Sequence, residues 1–183
     1  MKQSKETPAR RLALSGLCLA LCLLLPFVTG SLQQLGNALC PMHIPVFLCA
    51  YLCGGPWAAA VGLIAPLLRF ALFQAPPIFP TGAAMSLELA TYGLVCGLLY
   101  RSLPGRGIRI YGALLGAMLA GRLVWGAARY LFAGLMGSVF SLSLFWAGAV
   151  VNALPGIVIQ LLLIPAVVGA LERAGWLAPP DKR

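Results

Sequence analysis

Three cysteines and the chain's only histidine share fourteen positions in "CPMHIPVFLCAYLC": Cys40, His43, Cys49 and Cys53. Thiolates and an imidazole at such spacing are the raw material of a zinc site or a redox pair. Cys49 and Cys53 stand at i, i+4, on one helix face, and Cys18 and Cys22 repeat that spacing near the amino end. A four-ligand site would need one helix to present its thiolates beside a loop histidine, and no second histidine or nearby carboxylate completes it. The spread of the six cysteines, with Cys96 alone, suits small apolar residues that let helices approach closely. We therefore expect no metal, no structural disulfide and no cofactor. A nucleophile triad can be drawn from Ser86, His43 and Glu88, but a separation of two residues puts Ser86 and Glu88 on different helix faces. An intramembrane enzyme is thus the weaker reading, as is a stand-alone channel or scaffold. No GxxxxGK[ST] occurs in the sequence, so the chain has no such loop with which to hold and hydrolyse ATP.

The second chemical set is ionic. Glu88 in "AAMSLELATYG" has Tyr92 one turn later, and the arginines Arg69, Arg122 and Arg129 fall inside apolar runs, with Trp125 and Asn152 in comparable settings. Arg122 and Arg129 are seven apart, on one helix face beside Trp125. Ionisable groups inside a membrane cost a few kcal/mol or more each, so they face a bundle interior and find partners. A structural ion pair with snorkelling arginines explains part of this pattern. A water-accessible pocket explains all of it.

The elements that position these residues follow from composition. With 61% hydrophobic and 9% charged residues and a mean hydropathy of +0.93, the chain reads as an all-α integral membrane protein. The 183 residues hold about six spanning helices of roughly 20 residues in a single membrane domain. The apolar segments are 12–28, 44–53, 57–73, 83–100, 110–135 and 142–171. The first, preceded by Lys2, Lys5, Arg10 and Arg11, is read as a helix and not a cleaved signal peptide, because removal would leave an odd number of crossings. With both termini cytoplasmic, ten of the thirteen basic residues lie inside: the four just named, Arg101, Arg106, Arg109, Arg173, Lys182 and Arg183. The outer loops then carry no charge, which matches the positive-inside pattern and leaves no basic face for nucleic acid. "RSLPGRGIRIYG" reads as a basic hairpin loop. The second segment is about ten residues, roughly 15 Å of helix, so "SLQQLGNALCPMH" is expected to dip into the outer half of the bundle and line a pocket. "QAPPIFPTG" is the other outer loop, stiffened by prolines. Glu88, Arg69, Arg122, Arg129 and Asn152 all converge on this outer half.

"CPMHIPVFLCAYLCGGPWAAAVGLIAPLLRF", "PPIFPTGAAMSLELATYGLVCGLLYR" and "GRLVWGAARYL…NALPGIVIQLLLIPAVV" resemble the substrate-binding S component of energy-coupling factor (ECF) vitamin transporters. The resemblance covers nearly the whole chain from the first helix to Leu171. It implies a six-helix protein of a bacterial or archaeal cell membrane that captures a vitamin or related micronutrient at the outer face. It also implies docking on a transmembrane coupling (T) subunit driven by two cytoplasmic ATPases. Carried over by position, the solute-binding residues would be Asn37, His43, Arg69, Glu88, Tyr92, Arg122, Trp125 and Asn152. The docking pattern of small residues would fall on Ala13, Gly16 and Ala20 of the first helix, with glycine where the family pattern has alanine.

The sign of the solute follows from counting. Three arginines against one glutamate leave Arg122 without a partner if Glu88 takes another arginine, and a bound carboxylate would supply one. In the opposite case Glu88 reads a ring amine or amide while Asn152 and backbone carbonyls compensate Arg122.

Overall fold

The computed structural model describes residues 7–30 and 40–177, and among these every regular element is helical. The helices are α1 (Pro8–Gly30), α2 (His43–Leu52), α3 (Gly55–Phe73), α4 (Ala83–Ser102), α5 (Arg106–Leu135), α6 (Leu142–Trp146) and α7 (Leu154–Arg173). Among the described residues, five stretches are long and apolar enough to cross a membrane: Pro8–Phe27, Gly55–Phe73, Ile78–Ser102, Gly107–Leu135 and Leu142–Arg173. The protein is a multi-pass membrane protein. These stretches match five of the six expected segments, and the shorter apolar helix α2 matches the remaining one.

That short helix is the centre of the bundle. Its backbone starts in a turn closed by the His43 N–H on the Cys40 carbonyl, tolerates Pro45 in its first turn, and ends before Gly54, whose φ of 95° suits glycine. His43, Pro45, Val46, Phe47, Cys49, Ala50 and Tyr51 are all buried, so α2 is apolar around nearly its whole circumference, as a core helix must be. The paired cysteines stitch it to α1. Cys22 Sγ lies 3.5 Å from the Met42 carbonyl, Cys49 Sγ 3.6 Å from Ser15 Oγ, and Cys53 Sγ 3.6 Å from the Arg11 carbonyl. All six cysteines are free thiols.

Helices α3 and α4 approach backbone to backbone. A Cβ on Gly62 would sit 2.5 Å from the Leu89 carbonyl carbon, one on Gly93 2.5 Å from that of Ala58, and one on Gly97 would overlap Gly55. Small residues at such a seam let dispersion contacts replace the hydrophobic drive that lipid removes. The basic hairpin loop is shorter than expected. α4 runs on to Ser102 and α5 begins at Arg106, so only residues 103–105 connect them. Arg109, counted above among loop charges, is instead buried in α5. The last segment is interrupted as well. Pro155 has no N–H to give the preceding turn, and a π-type stretch, Ala147–Val151, precedes it, with the Asn152 N–H on the Ala147 carbonyl at 2.9 Å. The "QAPPIFPTG" loop runs into α4 through Ile78–Gly82, where Phe79 is extended (φ −130°, ψ 136°) and packs its ring 4.8 Å from that of Phe132.

Gly93→Ala is expected to cost about 1–3 kcal/mol through overpacking of the α3–α4 seam, read as a lower thermal midpoint in detergent. Gly16→Ala, where nothing lies within 4 Å of the new methyl, should leave the midpoint unchanged or raise it slightly.

Candidate functional site

Five residues into α4, Glu88 is 2% exposed and is approached by polar side chains from three helices. The Tyr92 hydroxyl, one turn along α4, donates to Glu88 Oε1 at 2.7 Å. Arg122, near the middle of α5, brings a guanidinium nitrogen to 3.1 Å of the same oxygen. His43, the first residue of α2, places Nε2 at 3.7 Å from it, beyond hydrogen-bonding reach. Its Nδ1 lies 3.1 Å from the Cys40 carbonyl, a contact that requires the proton on Nδ1. Tyr92 is held in place on both sides. Its ring stacks on Phe47 at 5.0 Å, and a side chain on Gly121 would overlap it.

Arg122 and Tyr92 also form one wall of a cleft of about 350 Å³. Leu115, Met118 and Leu119 of α5 continue that wall, and Phe145, Trp146, Ala149 and Val150 face them from α6 and the π-type stretch. Ile157 and Gln160 of α7 close the far side. The lining is apolar except at Arg122, Tyr92 and Gln160, a composition suited to an organic molecule with a few fixed polar contacts.

The residues expected at the site separate into two groups. His43, Glu88, Tyr92 and Arg122 come together; Arg69, Trp125 and Asn152 do not join them. Arg69 lies against Met42 Sδ at 3.9 Å and over the Phe27 ring at 5.6 Å, on the α1 side of the bundle. Trp125 packs on Phe140 and Phe145, with Gly148 leaving room for its ring, so it supports the wall behind the cleft. Asn152 is exposed. Asn37 lies outside the described residues. Arg129 sits over Phe140. The premise that Arg122 stands unpaired is overturned by its contact with Glu88, and Glu88 itself is not among the residues that line the cleft. Gln160, a single polar residue in the apolar run "GIVIQLLLIP", was not anticipated, although that isolation was its signal.

The family described as ECF transporter, substrate-specific component, matches residues 10–168. The chain belongs to that family. No curated protein and no solved structure matches the chain. An S component is a transport protein and not an enzyme. Ser86 Oγ is buried without a hydrogen-bond partner among the described residues. Chemically, the site of this S component can bind and orient a solute while keeping a buried carboxylate compensated.

Neutralising Glu88 by Glu88→Gln would leave the Arg122 charge buried and unpaired, at a cost of about 3–5 kcal/mol. Tyr92→Phe removes one charge-assisted hydrogen bond, about 1.5–3 kcal/mol. Thermal unfolding of both variants should rank them in that order, with Glu88→Gln/Arg122→Gln recovering part of the loss. Equal midpoints for Glu88→Gln and the parent would show that the pair does not hold the bundle.

Proposed function

We propose that this S component captures a vitamin or related micronutrient in the cleft at the outer face of a bacterial or archaeal cell membrane, and that partner subunits drive its uptake. The observation that carries the reading is a solute-sized cleft whose polar end is anchored by a compensated buried charge. With the amino terminus cytoplasmic, α4 runs inward and the Glu88 end faces outside. The basic residues support that orientation, because the ten that fall outside the apolar segments of the sequence, Arg109 among them although α5 buries it, then collect on one side. Tyr92 and Arg122 contact the solute, while Glu88 and His43 stand behind them and fix their geometry.

Energy has to come from elsewhere, since the sequence holds no nucleotide loop. A transmembrane T subunit and two cytoplasmic ATPases, the partners of S components in general, fill that role. The docking stripe is placed on α1, where Ala13, Gly16 and Ala20 are all exposed and Gly16 has open space beside it. Small side chains there allow a partner helix to approach closely.

Reconstituted alone in liposomes, the protein is expected to bind solute and not to accumulate it against a gradient. Accumulation without partners would overturn the reading. Gly16→Leu or Ala20→Leu should reduce co-purification with the T subunit severalfold while solute binding, measured by isothermal titration, stays intact.

A further inference from the structure

We propose that Gln160 selects the solute, and that the solute class is a neutral planar heterocycle with an amide or lactam edge and not a carboxylate. This rests on the cleft being the solute site.

Gln160 is 3% exposed in α7, and it lines the same cleft as Arg122. Among the described residues it makes no hydrogen bond. A carboxamide offers two donors and a carbonyl acceptor, and burying them unbonded inside a membrane protein is unfavourable. The cleft that Gln160 borders is where a bound solute can satisfy this amide. Its requirements are complementary to an edge that has both an N–H and an acceptor, as lactams, carboxamides and pyrimidine or pterin rings do. A carboxylate has acceptors only and would leave the Gln160 carbonyl unmet.

Arg122 leads to the same class. Its charge is already matched by Glu88 at 3.1 Å, and 16% of its side-chain surface stays exposed, where the cleft lies. It presents N–H donors that suit a carbonyl oxygen, without an unmatched charge to attract an anion. A carboxylate seated there would share one guanidinium with Glu88. The remaining walls, Leu115, Met118, Phe145 and Trp146 among them, accept a flat apolar body.

Two experiments test this. The first needs no ligand. Gln160→Leu keeps the volume and removes the unbonded amide, so the ligand-free protein should melt a few degrees higher, followed by maleimide reaction of the buried cysteines. A lower midpoint would mean that the amide already has a structural partner, and would overturn the proposal. The second uses matched pairs: nicotinamide and nicotinate, uracil and orotate, pterin and pterin-6-carboxylate, titrated by tryptophan fluorescence. At least one neutral member is expected to bind tenfold or more tightly than its acid, and Gln160→Leu should weaken it at least tenfold. Tighter binding of the acids, or no binding by any neutral member, would overturn the class. Ala149→Trp, or Val150→Trp should the first not fold, fills the cleft. A neutral compound that still binds the filled variant refutes the cleft as the site. One displaced by filling but indifferent to Gln160→Leu refutes the role of Gln160 alone.

Discussion

A carboxylate inside a lipid-embedded bundle is tolerated only when its charge and lone pairs are met by protein, because no water is at hand to meet them. Glu88 imposes that requirement on three helices at once. α4 provides Tyr92 one turn away, α5 provides Arg122 from its midpoint, and α2 must start where His43 can face the pair. Satisfying one carboxylate therefore fixes the relative height of α2, α4 and α5. Gly121 and Phe47 then decide where the Tyr92 ring can lie, and that ring becomes part of the cleft floor.

A second polar cluster ties the opposite end. Arg109 of α5 reaches Glu172 of α7 at 3.6 Å and the Tyr100 hydroxyl of α4 at 3.2 Å, and its guanidinium covers the Tyr100 ring. Tyr51, at the far end of α2, donates to the Ile110 carbonyl at 2.8 Å and packs edge-on to Tyr100. α2 thus runs between the two clusters, with His43 at one and Tyr51 at the other. α5 and α7 are joined at the Arg109 end and stand apart at the Glu88 end, and the space between them is the cleft.

The helical membrane class was legible from composition alone, and each predicted segment overlaps an observed helix, because an apolar run of the right length has few other solutions in lipid. Periodicity along one helix also placed Glu88 and Tyr92 correctly with respect to each other. It could not say which neighbouring helix a face would meet. Arg69 and Arg122 look alike in sequence, yet one meets Met42 and Phe27 and the other Glu88. Arg109 was hidden by charge counting, since a positive-inside tally treats every arginine near a loop as solvated. Asn152 drew notice through its depth, comparable to that of the charged residues, while Gln160 carried no charge and no motif. Its isolation in an apolar run was a signal, but which cavity it borders is visible only in the fold.

The glycine seam has a mechanical consequence. Helices whose backbones touch at Gly62, Gly93 and Gly97 cannot slide or tilt against each other without steric overlap, so α3 and α4 behave as one body, and the Glu88 contacts lock α2 and α5 to it. Any change in the width of the cleft must then be taken up on the other side, by α6 and the first turns of α7. There a π-type stretch and a proline interrupt the hydrogen-bond ladder. Entry and exit of a solute would be governed by the stiffness of the six residues from Val150 to Pro155 more than by the polar groups that recognise it.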